Sequence, residues 1–68
     1  MTSTISDEQF RTMIETALKH MSVSDIANGL SVSLPTITRW ASGRSSPHPV
    51  MREPIKKFLE EKLGTSVI

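Results

Sequence analysis

The side chains able to do chemistry in this 68-residue chain are few, and their spacing argues against most reactions. There is no cysteine, which removes thiolate nucleophiles, disulfides and thiolate zinc sites together. The histidines, His20 and His48, are distant from each other, and neither has a nucleophile and an orienting carboxylate to complete a catalytic set. Two histidines are also too few for a metal site. The adjacent carboxylates Asp7-Glu8 and Glu60-Glu61 read as solvated charge on helix surfaces. The expectation is therefore no enzyme, no cofactor and no metal. What remains is charge. From Ser31 to Lys57, Arg39, Arg44, Arg52, Lys56 and Lys57 face Glu53 alone, whereas up to Leu30 Asp7, Glu8, Glu15 and Asp25 outweigh Arg11 and Lys19. A locally basic segment can contact phosphates although the whole chain carries only +1. A solvated basic face would show the same pattern, so charge alone does not decide.

Local signals say which elements must hold these residues. Ser6-Asp7-Glu8-Gln9 is a capping box, in which Ser6 accepts from the Gln9 amide and Gln9 reaches back. Behind it Phe10, Met13, Ile14, Ala17, Leu18 and Met21 form one apolar stripe at helical spacing. The first helix is expected over about Asp7 to His20. Ser22-Val23-Ser24-Asp25 is a second capping signal, and Ile26, Ala27 and Leu30 follow on one face, so a short helix is expected over about Val23 to Gly29. Ser33 is a good N-cap, Pro35 suits a first turn, and Ile37, Trp40 and Ala41 keep the period, giving a third helix over about Leu34 to Ala41 with Gly43 to stop it. Ser42 to Pro49 reads as a loop. The apolar stripe Ile55, Phe58, Leu59 and Leu63 predicts a last regular helix from about Pro54 to Leu63, with a looser turn before it and Gly64 as its C-cap.

Length and composition permit one domain, residues 1–68, with a core over about 7–63 and a short tail over 64–68. No stretch approaches the length of a membrane span, and the first residues lack the pattern of a signal peptide. A cytoplasmic, non-membrane protein is expected.

Two short helices joined by Leu30 to Ser33 form a helix-turn-helix pattern. The stretch Ser22-Val-Ser-Asp-Ile-Ala-Asn-Gly-Leu-Ser-Val-Ser-Leu-Pro-Thr-Ile-Thr-Arg-Trp-Ala-Ser-Gly43 resembles the core of the lambda-repressor-like family, which includes phage repressors and Cro proteins; with its flanking helices the resemblance covers about residues 7 to 63. It implies an all-α domain of four to five helices whose third helix enters the major groove of double-stranded DNA. Ile26, Ala27, Leu30, Val32, Ile37 and Trp40 match the set that packs the helices together. The implied DNA-contacting residues are Leu34, Pro35, Thr36, Thr38 and Arg39 on the third helix, with Ser33, Arg44 and Ser45 near phosphates. Ser46 belongs to the same phosphate-facing group as Arg44 and Ser45. Arg39 can donate two parallel hydrogen bonds to guanine, and Leu34 can read a thymine methyl. Ser31 stands where the family usually has glycine, and Leu34 and Pro35 stand where it often has polar readers.

The resemblance implies a transcriptional regulator, a Cro-like phage or mobile-element repressor binding a palindromic operator as a homodimer, with no small-molecule ligand. Leu63, Val67 and Ile68 are the expected dimer contacts, with pairing of Ser66 to Ile68 as one form of them. The competing reading is a protein-interaction or antitoxin-type module built on the same helices.

Overall fold

The structure, a computed structural model, describes residues 5–67. It is all-helical: α1 (Asp7–Leu18), α2 (Val23–Leu30), α3 (Leu34–Ser42) and α4 (Pro49–Leu63), with no strand among the described residues. The capping signals at Ser6 and Ser22 act where the sequence places them, whereas Ser33 stands at the N-cap of α3 without a side-chain cap bond. Ser6 Oγ accepts from the Gln9 amide at 3.1 Å while Gln9 Oε1 accepts from the Ser6 amide at 3.0 Å. Ser22 Oγ accepts from the Asp25 amide at 3.0 Å. α1 ends slightly earlier than its apolar stripe suggests, because Lys19 and His20 donate three residues back, to Thr16 and Ala17, and tighten the last turn.

α1 lies against α3 and α4, and α2 against α3 and α4. Between them are buried Phe10, Met13, Ile14 and Ala17 from α1, Ile26 and Ala27 from α2, Ile37 and Trp40 from α3, and Ile55 and Leu59 from α4. Leu30 and Val32 are half-buried against this core. Phe10 meets Trp40 edge to face, with ring centroids 5.3 Å apart, so the tryptophan is a packing residue that ties α3 to α1. Gly29 lets α2 approach α4: a Cβ there would overlap the Phe58 ring.

Three expectations need correction. The last helix does not begin at Pro54. It begins at Pro49, capped by His48, whose Nδ1 accepts from the Val50 amide at 3.1 Å, and it runs through Pro54. Pro54 has no amide to offer the Val50 carbonyl, but both residues are exposed, so water can serve that group. The first turn of α4 is held instead by Arg52, and this is the second correction. Arg52 is 7% exposed and does not belong to the free basic surface. Its Nε donates to the Pro47 carbonyl at 3.1 Å, its Nη1 to the Ile5 carbonyl at 2.9 Å, and its Nη2 pairs with Asp7.

Third, Val67 is 3% exposed and packs in the core of its own chain, and Leu63 is half-buried against that core. The Val67 amide donates to Glu60 Oε2 at 3.3 Å. Val67 is thus not left over for a partner in the way the sequence suggests, because the chain turns back at Gly64, which adopts the left-handed conformation at φ 69°, while Leu63 keeps part of its surface exposed. Ile68, the other expected contact, lies outside the described residues, so the suggested pairing of residues 66–68 is described only in part. Among the described residues no helix is long and apolar enough to cross a membrane.

Candidate nucleic-acid interface

The connection between α2 and α3 is three residues, Ser31 to Val32 to Ser33. Its geometry comes from how α2 stops. Ser31 is left-handed at φ 58°, its amide donates to Asn28, and the next amide, Val32, donates to Ala27 at 3.0 Å. These two bonds are a Schellman motif, which turns the chain sharply and points Val32 back to the core. α3 stops in the same way. Gly43 is left-handed at φ 78°, its amide donates to Trp40, and the Arg44 amide donates to Arg39 at 3.0 Å. Ser31 therefore does with a side chain what Gly43 does without one.

α3 buries Ile37 and Trp40 and turns Leu34, Pro35, Thr38 and Arg39 to solvent, with Thr36 half-buried at the edge. The sequence-derived contact residues of this helix thus share one exposed face. Leu34 is 50% exposed. Ser33 makes no side-chain cap to α3; its hydroxyl lies 2.7 Å from that of Thr36. Thr38 Oγ1 donates to the Leu34 carbonyl at 3.3 Å, and Ser42 Oγ to the Arg39 carbonyl at 3.0 Å. From Ile26 to Arg52 the chain has no Asp or Glu, so α3 and its two connections present no carboxylate of their own.

The loop after α3 has a mixed setting. Arg44 and Ser45 are exposed. Ser45 and Ser46 line a shallow groove of about 340 Å³ together with Asp7, Glu8, Phe10 and Arg11 of α1 and Trp40 and Gly43 of α3. A phosphate at Ser45 would meet two carboxylates as well as Arg11, whereas one at Arg44 meets the full charge of that guanidinium. Arg11 is the residue that reading along the sequence missed. Its side chain lies beside Gly43, where a Cβ would come 3.4 Å from Arg11 Cδ, so folding carries a cation from the acidic first segment to the end of α3. Its ion pair with Glu15, at 3.9 Å between half-exposed groups, is too weak to hold it there against an anion.

No protein-family model, curated protein or solved structure matches this chain. Lys56 and Lys57 of the basic segment lie on α4, beyond the loop that follows α3. The cations that gather near α3 are Arg39, Arg44 and Arg11, and only the first two follow from sequence position. No group of three or more His, Asp or Glu side chains suited to a metal ion lies among the described residues.

Proposed function

We propose that this protein is a sequence-specific double-stranded DNA-binding regulator, a helix-turn-helix domain of the lambda-repressor-like kind that lays α3 in the major groove. The observation that carries the reading is the face of α3: exposed, free of carboxylates from Ile26 to Arg52, and bordered by Arg39, Arg44 and Arg11. A helix matches the width of the major groove, and three guanidinium groups match a polyanion. One such helix reads only a few base pairs, so the protein acts as a homodimer on half-sites about one helical turn apart. With Val67 inside its own core, the large apolar side chains exposed among the described residues, besides Leu34 on α3, are Val50 and Met51, 62% and 50% exposed, and these can meet a second subunit. So small a domain represses by occupying its operator, as a Cro-like phage or mobile-element protein does.

The test is selection of sites from a randomised duplex pool at two salt concentrations. A palindrome with half-sites one turn apart, bound less tightly as salt rises, supports the reading. Recovery of no preferred sequence overturns it. A second reading, a protein-interaction module, is favoured by the exposure of three large apolar side chains, Leu34, Val50 and Met51; it predicts partner binding that changes little with salt.

A further inference from the structure

We propose that α3 reads thymine 5-methyl groups through Leu34, with Arg39 supplying the hydrogen-bonded contact beside them. The inference rests on the DNA-binding reading and specifies what that reading leaves open, the class of base pair recognised.

The reason is a shortage of donors on the exposed face. Purine edges in the major groove present acceptors, N7 and, in guanine, O6, and a protein reads them by donating. A hydroxyl has one proton to give. Thr38 directs its proton to the Leu34 carbonyl and Ser42 directs its proton to the Arg39 carbonyl. Ser33 and Thr36 share a hydrogen bond 2.7 Å long, which leaves one proton between them. Arg39 is thus the main side-chain donor that α3 offers outward. At the start of the helix the face is apolar: Leu34, half exposed, and the Pro35 ring, which also lacks an amide proton. The base feature that a donor-poor apolar surface can recognise is the thymine methyl, which projects into the major groove and asks only for apolar contact. The absence of carboxylates from Ile26 to Arg52 lets that contact form against the negative field of the duplex.

The experiment uses the duplex selected by the full-length protein, with each thymine replaced in turn by deoxyuridine. The replacement deletes the 5-methyl group and leaves base pairing intact. At one or more positions in each half-site affinity should fall roughly fourfold per methyl, the value of burying one methyl-sized group, and roughly fifteenfold for a symmetric pair. Leu34→Ala, which removes an exposed side chain and should keep its helical circular dichroism, should bind the thymine and deoxyuridine duplexes equally at those positions. Equal binding of both duplexes by the unaltered protein, with the selected sequence still preferred over random DNA, would overturn methyl readout and leave DNA recognition standing. Sensitivity that persists undiminished in Leu34→Ala would overturn the role of Leu34. Failure to prefer any duplex defeats the DNA-binding reading and this inference with it.

Discussion

Arg52 donates through Nη1 to the carbonyl oxygen of Ile5 at 2.9 Å, joining positions 47 residues apart. With its other contacts to Pro47 and Asp7, one guanidinium ties the start of α4 to the loop before it and to the start of α1. It thereby holds Pro47, near the end of the α3–α4 loop, while Arg44 at the other end is held by its own amide bond to Arg39. Replacing Arg52 by alanine leaves the buried Ile5 carbonyl without this donor and should cost about 3 kcal/mol, since hydrogen bonds from a charged group are worth about 1.5–3 kcal/mol each. For a domain of this size that lowers Tm by well over about 10 °C. Arg52→Lys should recover only part of it, because an ammonium lacks the fork that reaches both carbonyls. Asp7→Asn should cost under about 1 kcal/mol, as Asp7 is 77% exposed. Thermal and urea unfolding of the three variants checks the order.

Ser31 occupies the left-handed position that glycine occupies at the end of α3. A side chain there costs about 1–2 kcal/mol, partly offset by the greater unfolded-state freedom of glycine. Ser31→Gly should therefore stabilise the protein by about 0.5–1 kcal/mol and raise Tm by a few degrees, with DNA affinity unchanged. A lower Tm would show that the Ser31 side chain contributes a contact that outweighs the backbone strain.

Val67 is held in the core beside α4. Val67→Ala should cost roughly 2 kcal/mol, two methyl groups of burial with a small cavity term. Deleting residues 65–68 should lower Tm in the same way, at protein concentrations where only monomer is present. If the deletion changed only the oligomeric state and left monomer stability intact, the burial of Val67 would have no energetic weight.

The three arginines near α3 should separate by role. Arg39→Ala should relax preference at one base position in each half-site, losing about 1–3 kcal/mol of discrimination. Arg44→Ala and Arg11→Ala should weaken selected and random duplexes alike and each reduce the salt slope by about one. Titrations at several salt concentrations distinguish the two patterns. An Arg11→Ala protein with an unaltered salt slope would remove Arg11 from the interface.

Gly29 is packed under the Phe58 ring. Gly29→Ala, normally favourable inside a helix, should here cost about 1–3 kcal/mol by overpacking. Gly29→Ala in a Phe58→Leu background should recover part of that loss, and urea unfolding of the double variant measures the coupling.

The starts of α1 and α2 and the stop after α3 were legible in the sequence, because each depends on hydrogen bonds between residues a few positions apart and on an apolar period that a single helix displays; the start of α3 was legible from that period and from Pro35 in its first turn, although Ser33 makes no side-chain cap. Ser6 with Gln9, Ser22 with Asp25, and Gly43 with Trp40 need no distant partner. The buried roles of Ile26, Ile37 and Trp40 followed from the same period. What the tertiary structure alone decided are the features set by distant contacts. Arg52 reads as surface charge until Ile5 and Asp7 are beside it, and its anchoring there joins the local His48 cap in holding the turn of α4 ahead of Pro54. Arg11 reads as part of an acidic segment until α1 packs on α3, and Val67 as a free apolar residue until the chain folds back at Gly64. Local bonding is a property of adjacent residues, whereas burial and charge neighbourhood are properties of the assembled core, which no stretch of sequence contains by itself.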